Sequence, residues 1–410
     1  MVNLLIAILL SRYLGPAGKG TQSIIITTIS FILIFSNLVG GATLVYLTPR
    51  FPVPLLLVPS YLWTLLMSLA AYFVLLSFRL VEAGFMVHVC LLSVINSLQS
   101  IHSNILIGKQ RIRESNNLVL FQSLILVLSL LAAFVIFKRV SVDSYIISLY
   151  ISLGGCMLIS ALFIGRSILS IRLFPLQRFV PVLLQMFRLG FQNQVAHITQ
   201  MLSFRLSFYV LEEYKGLASV GIYSNGISIA ESIWLVAKSM ALVQYSWISN
   251  SNNREASALM TIRLVKAGIL LSMLMMLPLL LLPVGGYTFI FGAGFGGVKP
   301  VIWSLLPGVL IYNFSILFGH YFSGTGRYYI NTTISTAGLL LSVLLYFTLI
   351  PLYSVSGAGF ATSVSYIFTS GLFLGYFARD YKLWYKEILP RRSDFSLLIS
   401  ELRMKNLFHS

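Results

Sequence analysis

Three formally charged residues lie well inside long apolar stretches of the chain: Arg205, Glu231 and Lys238. At the centre of a bilayer each costs roughly 2.5 to 3.5 kcal/mol, so none is expected to face lipid and each marks an internal polar path. With 3.6 residues per helical turn, Ser224, Glu231, Trp234, Lys238 and Tyr245 share one face of a helix, and Gln194, His197 and Arg205 cluster on the helix before it. Cations in such a place can hold an anion, and a carboxylate level with an imidazole can pass a proton. Counted from a turn centred near Tyr214, His197 and Glu231 are level near the midplane. Arg205 is level with Tyr223 toward the outside, and Lys238 is close to the level of Arg188 toward the inside. His197 and Glu231 are therefore a candidate titratable pair. The competing reading of Glu231 is an interhelical pair that only fixes packing, and for His197 alone a satisfied core histidine is the stronger reading.

The elements that position these residues follow from where charge is missing. Hydrophobic residues make up 58% of the 410 positions and charged residues 10%, and the mean hydropathy is +0.90, far outside the range of soluble domains. A helix needs about 20 apolar residues to cross the roughly 30 Å hydrocarbon core, and no charge occurs between Lys19 and Arg50, Arg50 and Arg79, or Lys266 and Lys299. The stretch from Arg327 to Arg379 holds two spans, with a hinge at Pro351, Gly357 and Gly359. Solid blocks of Leu, Ile, Val and Phe exclude the alternating segments of a membrane barrel. The predicted spans are Val2 to Leu14, Thr21 to Leu47, Val53 to Ser77, Val81 to Gly108, Asn117 to Phe137 and Asp143 to Gly165, then Gln185 to Val210, Ala218 to Ser246, Thr261 to Pro283, Val298 to Phe322, Tyr328 to Leu352 and Val355 to Ala378. The first is short, which a truncated or misassigned start explains better than a signal peptide, since the basic leader and small-residue cleavage pattern are missing.

Lys and Arg set the orientation. With the amino terminus inside, the inner loops and tail hold nineteen of them and the outer loops seven, Arg12 and Lys19 among the latter. Both termini are thus expected in the cytoplasm of a bacterial inner membrane. The net charge of +17 reads as topology beside anionic lipid headgroups, not as nucleic-acid binding.

The two halves resemble each other. Ser11 to Ser23 (SRYLGPAGKGTQS) aligns without a gap on Glu212 to Ser224 (EEYKGLASVGIYS), matching Tyr13 with Tyr214, Gly15 with Gly216, Ala17 with Ala218, Gly20 with Gly221 and Ser23 with Ser224. Gly108 to Ser115 falls at the same loop of its half as Gly324 to Asn331, with Arg111 over Arg327. Six spans return a chain to its starting side, so the fold class expected is an all-α polytopic membrane protein of about twelve helices in two six-helix bundles related as parallel repeats, as in many transporters. The organisation expected is a first bundle over 1–165, a cytoplasmic linker over 166–184 with Pro175 and Pro181, a second bundle over 185–378 and a basic tail over 379–410. Phe395, Leu398, Ile399 and Leu402 give that tail the spacing of an interfacial amphipathic helix.

The stretches SRYLGPAGKG, VGIYSNGISIAESIW, FGAGFGGVKPVIWSLLPG and LIPLYSVSGAGFATSVSYIF, in this order over essentially the whole chain, resemble the polysaccharide-transport branch of the multidrug, oligosaccharidyl-lipid and polysaccharide (MOP) exporter superfamily. The resemblance implies a V-shaped pair of bundles with a central cavity. It also implies an alternating-access flippase, which moves an undecaprenyl-diphosphate-linked oligosaccharide to the periplasmic leaflet for O-antigen or capsule assembly. Membrane lipids and the polysaccharide polymerase and chain-length machinery are the further partners it implies. In that reading Arg188 and Lys238 meet the diphosphate, and Arg205 lines the sugar path with Tyr223. Trp234, with Tyr46 and Tyr312, offers surfaces on which sugars could stack.

Two other classes remain open. A cation-coupled multidrug antiporter of the same superfamily is disfavoured by the lack of a well-buried carboxylate in the first six spans, and a membrane polysaccharide polymerase or ligase by the shortness of every outer connection. The single polar residues Asn37, Gln99, His102, Asn104, Asn313 and His320 are expected to hydrogen-bond across helices more than to touch substrate. Gly292, Gly294 and Gly297 spell a dinucleotide fingerprint without its βα unit, and Asn331-Thr332-Thr333 matches a glycosylation acceptor but sits at a cytoplasmic span end. Cys90 and Cys156 stand alone in apolar spans, so neither disulfide, metal nor cofactor is expected. No Walker A sequence is present.

Overall fold

The computed structural model describes residues 2–170, 175, 178–251 and 253–381; the expected tail helix and part of the linker lie outside them. The described residues form helices and short connections. Three of the helices are too long to be single spans. At 1.5 Å per residue the 54 residues of Tyr328–Tyr381 would reach about 80 Å, and each long helix is broken by a residue of non-helical backbone: Gly15 (φ 68°, ψ −176°), Gly216 (φ 77°, ψ 171°) and Ser354 (φ 54°, ψ −133°). Divided at these points, the chain runs as α1 (2–14), α2 (16–36, continued after a 3₁₀ turn by Gly41–Leu47), α3 (Val53–Phe78), α4 (Ala83–Gly108), α5 (Ile112–Leu131, with a π turn to Ile136) and α6 (Val142–Phe163). After the linker come α7 (179–215), α8 (217–232, bent by 45° into Trp234–Asn250), α9 (Arg254–Leu281), α10 (Val298–Gly324), α11 (328–353) and α12 (355–381). Before division, eight of the described helices are long and apolar enough to span a membrane, or nine with the bent pair counted as one. The chain is a polytopic, all-helical membrane protein.

The chain packs as two compact units, residues 1–221 with 290–294, and residues 222–289 with 295–410. In the second unit, hydroxyls and glycines set the helix order. Tyr346 meets Thr362 (3.0 Å) and Ser342 meets Ser365 (2.6 Å), so α11 and α12 run antiparallel about Ser354. Ser363 Oγ accepts from Gly308 N (2.7 Å) and Ser315 meets Ser370 (2.8 Å), a constant offset that makes α10 and α12 parallel. A Cβ on Gly359 would lie 1.8 Å from Ser304 Oγ and one on Gly308 2.4 Å from Ser363 Cα. Small residues let these backbones approach where lipid supplies no hydrophobic drive between helices. Between α10 and α11 Arg327 pairs with Asp380 of α12, over the ring of Phe322 at 4.9 Å.

In the first unit Ser60 donates to Val39 O (2.8 Å), Ser68 to Cys90 O (3.0 Å) and Trp63 Nε1 to Phe35 O (3.1 Å), tying α3 to both neighbours. A core of Leu38, Leu44, Leu56, Ile105, Leu118 and Met186 fills the space between them. His102, inside α4, bonds Tyr61 OH (2.6 Å) and Ser160 Oγ (2.7 Å), the satisfied interhelical role expected of such residues.

The repeated turns have repeated geometry. Gly15 and Gly216 share one conformation that L side chains rarely adopt. At the second pair, Gln110 (φ 62°) and Gly326 (φ 78°) each take the left-handed position of a Schellman cap. Arg111 N donates to Leu106 O and Arg327 N to Phe322 O, both at 2.8 Å.

Candidate functional site

The candidate residues divide between the units. On α7, in the first unit, Arg188 and His197 are exposed and Arg205 is half-buried, its guanidinium 5.7 Å from the Phe208 ring. In the second unit Glu231 is half-buried and Lys238 exposed. Lys238 Nζ sits 5.6 Å above the Trp234 ring, a cation–π contact, and has no carboxylate partner among the described residues. The face that Ser224, Trp234 and Lys238 share in sequence is divided by the bend at Ile233. Trp234 is 1% exposed, donates its Nε1 to Val309 O (2.8 Å) and packs its ring 4.8 Å from Tyr312 and 5.4 Å from Tyr366. Tyr223 is buried too, its hydroxyl 2.8 Å from Thr362. Trp234 thus backs the surface on which Lys238 stands, while Tyr223 is enclosed against α12.

The sequence missed three features. Lys19, counted among outer-loop residues, lies in the first turns of α2 and is 6% exposed. Its ammonium donates to Gln22 Oε1 (2.5 Å) and Ser23 Oγ (3.3 Å), and Gln22 Nε2 donates to Tyr145 OH (3.2 Å) on α6. The helix begins five residues earlier than the expected span because Pro16 follows the Gly15 break and suits a helix start. The second is an apolar cavity of about 410 Å³ between α2, α3 and α7, lined by Phe31, Phe35, Ala70, Ala71 and Leu202 and crossed by a Thr28–Tyr209 hydrogen bond of 2.7 Å. The third is an open cavity of about 830 Å³ at the C-terminal end of α8. Among the described residues no group of three His, Cys, Asp or Glu could hold a metal ion.

The carboxyl of Glu212, at the end of α7 and past the expected seventh span, is pushed up to about 7 by burial and by Glu213 and Glu82 beside it. Its folded value exceeds the unfolded one, so the native state binds more protons between pH 4.5 and 7 and loses stability as pH rises through that window. Glu212→Gln should therefore melt at a higher temperature than the wild type at pH 8 and at nearly the same temperature at pH 4.5. An equal gain at both values would assign the effect to packing instead.

Neither a protein-family model nor a curated protein matches the chain by sequence. Solved structures do match its fold. An inward-facing multidrug resistance MATE family transporter of the MOP superfamily superposes with a TM-score of 0.74 at 13% identity, over 92% of this chain and 93% of that one. The lipid II flippase MurJ, in an inward closed conformation, gives 0.74 at 16% identity over 94% and 86%. A mutant of the Vibrio cholerae MATE transporter VcmN gives 0.59 at 12% over 94% and 93%. The chain has the fold of MOP-superfamily transporters. Identities this low carry the architecture of about twelve helices and leave the choice of cargo to the chain's own residues.

Proposed function

We propose that this protein is a flippase of the bacterial inner membrane, both termini cytoplasmic, that carries an undecaprenyl-diphosphate-linked oligosaccharide to the periplasmic leaflet by alternating access. The observation that carries the proposal is the state of the charges within the spans. Lys238 is exposed in its unit and Arg205 half-buried in the other, within stretches where lipid would penalise either charge, which supports a polar, hydrated surface at each. Cationic surfaces of this kind, with the exposed Arg188 beside Arg205 on α7, suit an anionic cargo. Among the described residues no Asp or Glu is fully buried, whereas Lys19 is, which disfavours a carboxylate-based antiporter for cationic drugs. The likeness in fold to a lipid II flippase supports the reading of a lipid-linked cargo. The test is complementation: the gene, placed in a strain lacking its O-antigen or capsule flippase and supplied with the cognate sugar pathway, should restore surface polysaccharide. Failure with full-length protein in the membrane would overturn the proposal in favour of the antiporter.

A further inference from the structure

The apolar cavity between α2, α3 and α7 has no part in the reading of the charged residues above. It measures about 410 Å³, within the roughly 300 to 1,000 Å³ usual for ligand clefts, and among the described residues nothing charged lines it. Its two hydroxyls are spent within the protein: Thr28 Oγ1 donates to Ile24 O (2.8 Å) and so accepts from Tyr209 OH (2.7 Å). A ligand in the cavity therefore meets hydrocarbon alone. The space exists because Ala70 and Ala71 of α3 present only methyl groups to it, and lining atoms without neighbours lose dispersion contacts that a chain in the slot would restore. At roughly 30 Å³ per water-sized group it holds about fourteen carbon atoms, close to about three isoprene units.

The charges at the two ends of the cavity select its occupant. Past Tyr209 and Leu80 stand Glu212, Glu213 and Glu82, whose carboxylates crowd one another, so an anionic head group is repelled there. The cation lies in the other direction. Arg188, Phe191, Val195, Leu202, Leu206 and Tyr209 fall within an arc of about 60° on α7, and each is exposed or half-buried. The way from Arg188 to the cavity is apolar: the Phe187 ring packs 5.5 Å from Trp63 of α3 and 6.2 Å from Phe191, and the Trp63 indole donates to the carbonyl of Phe35 (3.1 Å), which lines the cavity. Arg188 lies about 21 Å along the axis from Leu202 and about 32 Å from Tyr209. An acyl chain of a bilayer lipid covers only half of the hydrocarbon core, about 15 Å, so a lipid held by its phosphate at Arg188 fills the slot only if its chain is much longer. A polyprenyl carrier has such a chain. We propose that the track from Arg188 past Phe187, Phe191 and Trp63 into this cavity binds the polyprenyl chain of the cargo, with the diphosphate at Arg188. The proposal rests on the flippase reading and adds to it where the carrier chain is held.

Purified full-length protein in nanodiscs of phosphatidylethanolamine and phosphatidylglycerol would be titrated with two probes that share a diphosphate, undecaprenyl diphosphate and the short-chain farnesyl diphosphate, with affinities referred to the concentration in the bilayer. The wild type should bind the long probe about tenfold more tightly, because only its chain reaches the cavity from Arg188 and gains the contacts there. Ala71→Phe, which fills the cavity, should remove that preference and leave farnesyl diphosphate binding unchanged. Arg188→Ala should weaken both probes alike, and unchanged binding in that variant would overturn the track. Equal binding of the two probes by the wild type would give the cavity to bilayer lipid and overturn the track while sparing the flippase reading. Weakening toward both probes in Ala71→Phe, or toward neither, would overturn it as well. Should the wild type bind neither probe, the flippase reading falls and the track with it. If Ala71→Phe fails to fold, Ala70→Leu, at an exposed position on the same lining, decides by the same comparison.

Discussion

Gly20→Val and Gly221→Val should each abolish polysaccharide export, and by closely similar amounts. A Cβ on Gly20 would lie 1.9 Å from the carbonyl oxygen of Leu217, and one on Gly221 would lie 2.0 Å from the carbonyl oxygen of Pro16. Both obstacles are backbone, so no rotamer relieves them and the start of α2 must move away from the start of α8. Pro16 aligns with Leu217 and Gly20 with Gly221, so the two contacts are mirror images: each glycine faces the partner turn's counterpart of its own neighbour. Overpacking costs typically about 1 to 3 kcal/mol, and a close backbone crossing lies at the upper end. Every 1.4 kcal/mol moves an equilibrium about tenfold. The crossing sits at the Gly15 and Gly216 turns, so a wedge there should hold the two helix starts apart and, on the flippase reading, stop any step that needs them together. Export would be followed in the complemented strain and melting temperature in detergent. A fall in melting temperature with export intact would reduce the crossing to static packing, and effects differing by more than about tenfold between the variants would sink the mirror relation.

The same crossing shows what was legible in the chain. Five identities in a thirteen-residue window announced a repeat, and the repeat returns as equal backbone angles at Gly15 and Gly216 and as equal caps before Arg111 and Arg327. The division into about twelve helices was readable because charge is excluded from hydrocarbon, so Lys and Arg punctuate the spans. Which face of a span points inward was not readable. A helix apolar all round, such as α3, carries no amphipathic stripe to fix its rotation, and burial is then decided by neighbours far away in sequence. Lys19 is the sharpest case: its position near a Gly-Pro turn read as a loop, while Gln22, Ser23 and Tyr145 form a polar nest for it inside the bundle. Trp234 and Trp247 make the complementary case, since both are aromatic residues on α8, and only packing against Tyr312 and Tyr366 shows that the first is enclosed while the second lines a cavity.

Lys238→Ala and Arg205→Ala should each cut transport at least tenfold while the protein accumulates normally. A hydrogen bond to a charged group is worth about 1.5 to 3 kcal/mol, which is a factor of roughly 10 to 100 in affinity. Truncating Lys238 leaves no buried carboxylate unpaired, because its one marked contact is the cation–π approach to Trp234, so folding should tolerate it. Lys238→Arg should retain most function, since an anion needs the charge more than the shape. The roles proposed for the cations also predict how their losses combine. Arg188 and Lys238 are assigned to one diphosphate, so the double alanine variant should depart from the product of the singles, as residues sharing a partner do, by a coupling of about 0.5 to 3 kcal/mol. Arg205 is assigned to the sugars, so its loss should multiply with that of Lys238 without coupling. Multiplicative behaviour in both pairs would mean that no diphosphate is shared. Disappearance of the Arg205→Ala protein from the membrane would return that residue to packing. The coupling pattern thus tests the placement of the cargo along the path independently of whether the cargo moves.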